Sequence, residues 1–143
     1  MKEKGTFDEP GLGRTQGKGD CFPLLDESSR VWSSEGDLDQ EKRALLNPCI
    51  DDPEFHLEFN LVGEVSPKPG SRMGEASIKI CALTRHRLKQ ARCQALQSLK
   101  RQLQGIRERD EREHILAEFQ RDDHEFAGFF RSVIVSFNLA DAL

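Results

Sequence analysis

The side chains most capable of chemistry cluster toward the C-terminal end. Glu111 and His114 stand three apart, and Asp122-Asp123-His124-Glu125 follows them. Paired Glu-x-x-His motifs can hold a di-iron centre, but that requires two such pairs and two further glutamates. Arg121 stands where the second glutamate would precede His124. Acid–base catalysis needs its groups to converge in one pocket, whereas consecutive helical residues point apart. A solvated acidic helix face is the expectation.

The remaining candidates are weaker still. Of Cys21, Cys49, Cys81 and Cys93, the nearest pair has eleven residues between its members, so no Cys-x-x-Cys can close a zinc site. No serine or cysteine has a nucleophile setting such as Gly-x-Ser-x-Gly. GLGRTQGKGD at 11–20 places three residues between Gly13 and Gly17-Lys18. A phosphate loop needs four, then Ser or Thr for magnesium. The sequence therefore predicts a protein that is not an enzyme, with no cofactor, metal or small-molecule substrate.

Charge carries more information. The chain has a formal net charge of -4, but the sign alternates in blocks. Residues 1–60 hold 7 Lys/Arg against 14 Asp/Glu, residues 84–109 hold 8 against 1, and residues 110–126 hold 2 against 7. A run of like charge on a helix can neutralise phosphates. Arg85, Arg87, Lys89, Arg92, Lys100 and Arg101 are the candidate nucleic-acid-binding set. Opposite blocks can also satisfy each other, within one molecule or across a dimer, and the sequence reading favours that pairing.

The elements that must position these groups follow from periodicity. With the 11 glycines added, apolar content is about 44%, just below the globular norm. That fits one packed region diluted by a solvated one. Residues 1–50 are Gly-, Asp-, Glu- and Ser-rich and are expected to be disordered, with apolar islands only at FPLL (22–25) and ALL (44–46). DLDQEKRALL at 37–46 could form a short helix that Asn47-Pro48 ends. Trp32, the only tryptophan, is a candidate docking anchor.

Residues 51–143 are expected to form a compact α+β domain. Phe55, Leu57, Phe59 and Leu61 alternate with polar neighbours, as in a half-buried strand. Ser66–Ser71 is turn-forming, and Ala76, Ile78, Ile80 and Ala82 alternate again, predicting a second strand and a hairpin. A two-stranded hairpin is marginal alone. Its cover is a long amphipathic helix after Thr84, on which Leu96, Leu99, Leu103 and Ile106 fit a coiled-coil a/d seam for under two heptads. The pattern breaks near Gly105 and resumes in an acidic helix. An aromatic C-terminal segment with Phe126, Phe129, Phe130 and Val133 then reads as helix or third strand, and as core rather than ligand site.

The order strand, turn, strand, helix, with LKQARCQALQSL on the helix, resembles the C-terminal half of a double-stranded-RNA-binding domain over about forty-five residues. That resemblance implies a basic helix start contacting phosphates. The sequence departs from it by placing Thr84-Arg85-His86-Arg87 where a glycine-rich Ser-Lys-Lys lead-in would stand, and by lacking a third strand.

No apolar run follows MKEKGTFDEP, so neither a signal peptide nor a membrane span is expected, and a cytoplasmic or nuclear location follows. The favoured reading is a regulatory adaptor. It binds a protein partner or forms a homodimer through Trp32 and the Leu96–Leu99–Leu103–Ile106 seam. RNA binding through the basic helix is the alternative.

Overall fold

In the computed structural model, the described residues run from Gly19 to Leu139. The loop-like stretch at 11–18 and the start of the expected disordered region lie outside them. Two strands, β1 (Leu57–Phe59) and β2 (Val65–Pro67), form an antiparallel pair, with Leu57 opposite Pro67 and Phe59 opposite Val65. Four helices follow: α1 (Arg72–Ile80), α2 (His86–Leu103), α3 (Arg109–Phe119) and α4 (Ala127–Ser136). The mixed α+β class is as expected.

The hairpin itself is placed differently. Its first strand matches the alternation at 57–59, but the second comes before the Ser66–Ser71 stretch ends, and most of the expected strand 76–83 is α1. The turn forms at Asn60–Glu64 instead. The Asn60 side-chain oxygen accepts from the amides of Val62 (3.1 Å) and Glu64 (2.9 Å), and Gly63 takes a left-handed φ of 76°. Helix wins over 72–80 for two reasons. Ser71 caps it, its hydroxyl accepting from the Gly74 amide at 3.0 Å. Gly74 and Ser77 then share a face that packs close to backbone. A Cβ on Gly74 would collide with the His56 carbonyl, and the Ser77 hydroxyl accepts from the Leu46 amide at 2.8 Å. The period-two alternation was a coincidence of spacing.

Helices α2, α3 and α4 enclose the core. α2 ends just before Gly105, whose φ is 88°, and α3 folds back to pack on it. Phe130, Leu96, Leu99, Leu103 and Val133 are the largest fully buried side chains. The Phe130 ring meets Phe119 edge-on at 4.8 Å, and Phe129 meets Phe59 of β1 at 5.6 Å, so α4 ties the helices to the hairpin. The C-terminal segment is therefore helix; Phe129 and Phe130 are core, Phe126 packs against it partly buried, and Phe137 is exposed.

Apolar contact, not opposite charge, joins α2 to α3. Among the described residues no ion pair links the two helices. The acidic block pairs locally, as in Arg109–Glu113 (2.7 Å) and Arg121–Asp123 (2.8 Å), and Asp122 reaches Arg131 on α4. The expected pairing of the two blocks across the interface is corrected accordingly, since Arg109 and Glu113, which do join them, lie on the same helix. Side chains at helical spacing had enough apolar area to hold the interface alone, leaving the charges on the outside.

Within residues 19–50, specific contacts hold the backbone. Leu24 and Arg43 form an antiparallel bridge, flanked by Leu25 N–H to Lys42 carbonyl (2.6 Å) and Ala44 N–H to Pro23 carbonyl (3.0 Å). The two apolar islands thereby meet, with Leu24, Ala44 and Leu45 buried. The short helix expected at 37–46 is a single 3-10 turn, Leu38–Gln40. No helix among the described residues is long and apolar enough to cross a membrane.

Candidate functional site

The bridged segment Gly19–Glu54, the arm, is fixed by its polar side chains. Asp26 caps a 3-10 turn at Glu27–Ser29, accepting from the Ser28 amide (3.0 Å) and hydroxyl (2.6 Å). Those two bonds hold the Asp26 carboxyl below its ordinary range. Glu27 pairs with Arg30 at 2.7 Å, and that contact lowers the Glu27 pKa and raises that of Arg30. Glu41 accepts from the Val31 amide at 2.9 Å. Asp51 takes both the Arg43 guanidinium (2.6 Å) and the Asn47 amide (2.7 Å).

With the polar groups turned to backbone, several large apolar side chains are left outside. Trp32 is 87% exposed, Ile50 71%, Leu38 67% and Phe22 41%. Arg30 sits 5.8 Å from the Trp32 ring centroid. Phe22, Leu38 and Ile50 line one open groove of about 560 Å³, together with Asp39, Glu41 and Arg43. Exposed apolar side chains gathered in a groove mark an interaction surface more often than scattered ones do.

The other predicted partner-binding residues are not available. Leu96, Leu99 and Leu103 are buried in the chain's own core, against Leu116, Phe119 and Phe130. The seam predicted for self-association is thus occupied by α3 and α4. Ile106, beyond the end of α2, is half-buried.

The predicted nucleic-acid set is broken up as well. Arg92 is only 4% exposed. Its two terminal nitrogens donate to the Gly63 and Leu83 carbonyls, each at 2.7 Å, and its guanidinium lies 5.3 Å from the Phe59 ring centroid. Burial, reinforced by the nearby Arg85, lowers its pKa, yet an arginine stays charged at any physiological pH. Lys89 pairs with Glu64 at 2.6 Å, and Arg85 donates to the Cys81 carbonyl at 3.2 Å. Arg87, Lys100 and Arg101 make no ion pair among the described residues. Because 76–80 are helical, the strand–turn–strand–helix order behind the RNA-binding-domain resemblance is absent.

Glu111 and His114 are exposed, and His124 stacks on Phe119 at 4.5 Å at the edge of an open depression that Glu118, Arg121 and Asp123 also line. Phe22, Leu38 and Ile50 were missed as surface residues. Only Leu38 carried a signal, since it stands in a polar stretch with no apolar partner at strand or helix spacing, whereas Phe22 belongs to the 22–25 island and Ile50 lies four residues after Leu46.

Comparison with known proteins places this arrangement in context. The chain is 42% identical over 82 residues to the Septu protein PtuB of Bacillus mycoides (strain KBAB4), and 31% identical over 77 residues to the Septu protein PtuA of that strain. These matches take in 57% and 54% of this chain, but 28% of PtuB and 11% of PtuA, so the chain spans a minor part of either relative. No protein-family model and no solved structure matches the chain.

Proposed function

We propose that this chain is a non-catalytic, protein-binding part of a Septu-type assembly serving anti-phage defence, and that its arm makes the contact. The similarity to PtuB over 57% of the chain carries the assignment to Septu. The outward apolar side chains Phe22, Trp32, Leu38 and Ile50 support the arm as the contact surface, since aromatic and large apolar anchors dominate interface energies. A helical seam cannot serve, because its leucines are already buried.

The test has two parts. In PtuB of Bacillus mycoides, the matching 82 residues are replaced by those of this chain and expressed with PtuA, and the cells are challenged with phage. Protection is the expected result; its loss in a soluble chimera removes the Septu assignment. The full chain is also purified with PtuA and with PtuB. Co-purification that Trp32→Ala with Leu38→Ser abolishes supports the arm, and co-purification indifferent to both changes excludes it.

A further inference from the structure

We infer that the groove between Phe22, Leu38 and Ile50 takes a partner segment in which lysine or arginine alternates with bulky apolar side chains. This inference rests on the interaction reading above and adds the chemistry of the occupant.

The argument is charge complementarity. Between Gly19 and Glu54 the sequence carries ten carboxylates and three basic side chains, Arg30, Lys42 and Arg43. Each of the three is paired within the arm, to Glu27, Asp26 and Asp51 respectively. Glu54 is paired to Arg131 of α4. Asp20, Glu35, Asp37, Asp39, Glu41 and Asp52 have no ion-pair partner among the described residues. Two of these, Asp39 and Glu41, line the groove itself. An apolar floor inside a field of one sign attracts cations, repels acidic segments and sets the approach of a partner. Arg43 does not cancel that field, since Asp51 neutralises it at 2.6 Å.

A second copy of the chain is the competing occupant, because Arg87 and Arg101 are exposed and have no ion-pair partner among the described residues. Arm-to-α2 contact between copies would close reciprocally about a two-fold axis or run head-to-tail, and either would show as self-association. The excess of unpaired carboxylates in the arm asks for more positive charge than those two arginines bring, which favours a separate basic partner.

The experiment uses the full chain, fluorescently labelled, on an array of synthetic dodecamer peptides of three compositions: Lys/Arg with Leu/Phe, Asp/Glu with Leu/Phe, and Lys/Arg with Ser/Gly. Binding to the first class alone is expected. It should weaken roughly tenfold when sodium chloride rises from about 0.05 to about 0.5 M, because exposed charges are screened over a few ångströms at high salt. Leu38→Ser with Ile50→Ser should abolish it, and Asp39→Asn with Glu41→Gln should weaken it comparably to salt. Glutamine at 41 keeps an acceptor for the Val31 amide, and thermal melts confirm that each variant is folded. Preference for acidic peptides, or binding insensitive to salt and to the amide variants, overturns the proposed chemistry while leaving the arm as an interaction surface. No binding to any peptide also overturns it. So does light scattering that reveals self-association dissolved by Leu38→Ser with Ile50→Ser, which makes the occupant a second copy. Peptide binding as expected, with no co-purification of a Septu protein, sinks the functional reading instead.

Discussion

The arm and the helical bundle use bulky apolar residues in opposite ways. In the bundle, Leu96, Leu99 and Leu103 recur at helical spacing and disappear into the interior. In the arm, Trp32, Leu38 and Ile50 belong to no helical or strand repeat and remain outside. Both regions are charged, yet the charges also differ in use. Those of the arm are largely spent on backbone amides and short-range pairs that give it a shape. Those of α2 are split, with Arg92 inside and Arg87 and Arg101 at the surface. Spacing, more than hydrophobicity, decided which side chains became core and which were left to meet a partner.

Truncation should expose that difference most plainly. Phe130→Ala removes a fully buried ring between Phe119 and Phe129, and is expected to cost about 3–5 kcal/mol in chemical denaturation. A loss below about 1 kcal/mol would mean that the bundle is not the stabilising region. Arg92→Met comes next. It leaves the Gly63 and Leu83 carbonyls without their donor, and a loss of roughly 3 kcal/mol is expected, since hydrogen bonds to charged groups are worth about 1.5–3 kcal/mol each and the methionine recovers some packing. Arg101→Met, on the same helix but exposed, should stay within about 0.5 kcal/mol. Equal effects at 92 and 101 would erase the distinction between interior and surface charge. Trp32→Ser and Leu38→Ser should likewise shift stability by no more than about 0.5 kcal/mol. A larger loss would show that the arm's apolar groups support the fold rather than await a partner.

What the sequence revealed follows the same division. The helices of the bundle were legible because Leu96, Leu99 and Leu103, then Leu116 and Phe119, repeat every three or four residues. The break at Gly105 was legible because a glycine at left-handed φ suits a helix end. α1 was misread because Ala76, Ile78 and Ile80 satisfy a period of two, while the deciding contacts involve Gly74 against His56 and Ser77 against Leu46, both set by tertiary approach. The contacts of the arm were not legible because they join residues distant in sequence, Leu24 with Arg43 and Arg43 with Asp51, that no local pattern announces. Arg92 was available to a stricter reading: it lies four residues before Leu96 and seven before Leu99, on the buried face. The seam was correctly seen as apolar and wrongly assigned to another molecule, since periodicity cannot say whose surface covers it.

The smallest expected effect concerns the contact between the hairpin turn and α2. Lys89, and then Asn60, hydrogen-bond the Glu64 carboxylate and hold its pKa below the ordinary 4.5. A carboxylate whose folded pKa is depressed stabilises the fold above its unfolded pKa, and that contribution fades as pH falls through the folded value. Glu64→Gln should therefore lower the melting temperature slightly at about pH 7, and the gap from the parent chain should close as acid titrates the carboxylate. Both side chains are well exposed, 39% for Lys89 and 53% for Glu64, so salt should close the same gap at neutral pH. Were the gap to persist through acid and salt alike, the pair would be acting through packing against Gly63, where a Cβ would approach the Lys89 carbonyl to 2.6 Å. The joint between hairpin and α2 would then rest on shape and on Arg92 alone, with charge at the turn contributing nothing to it.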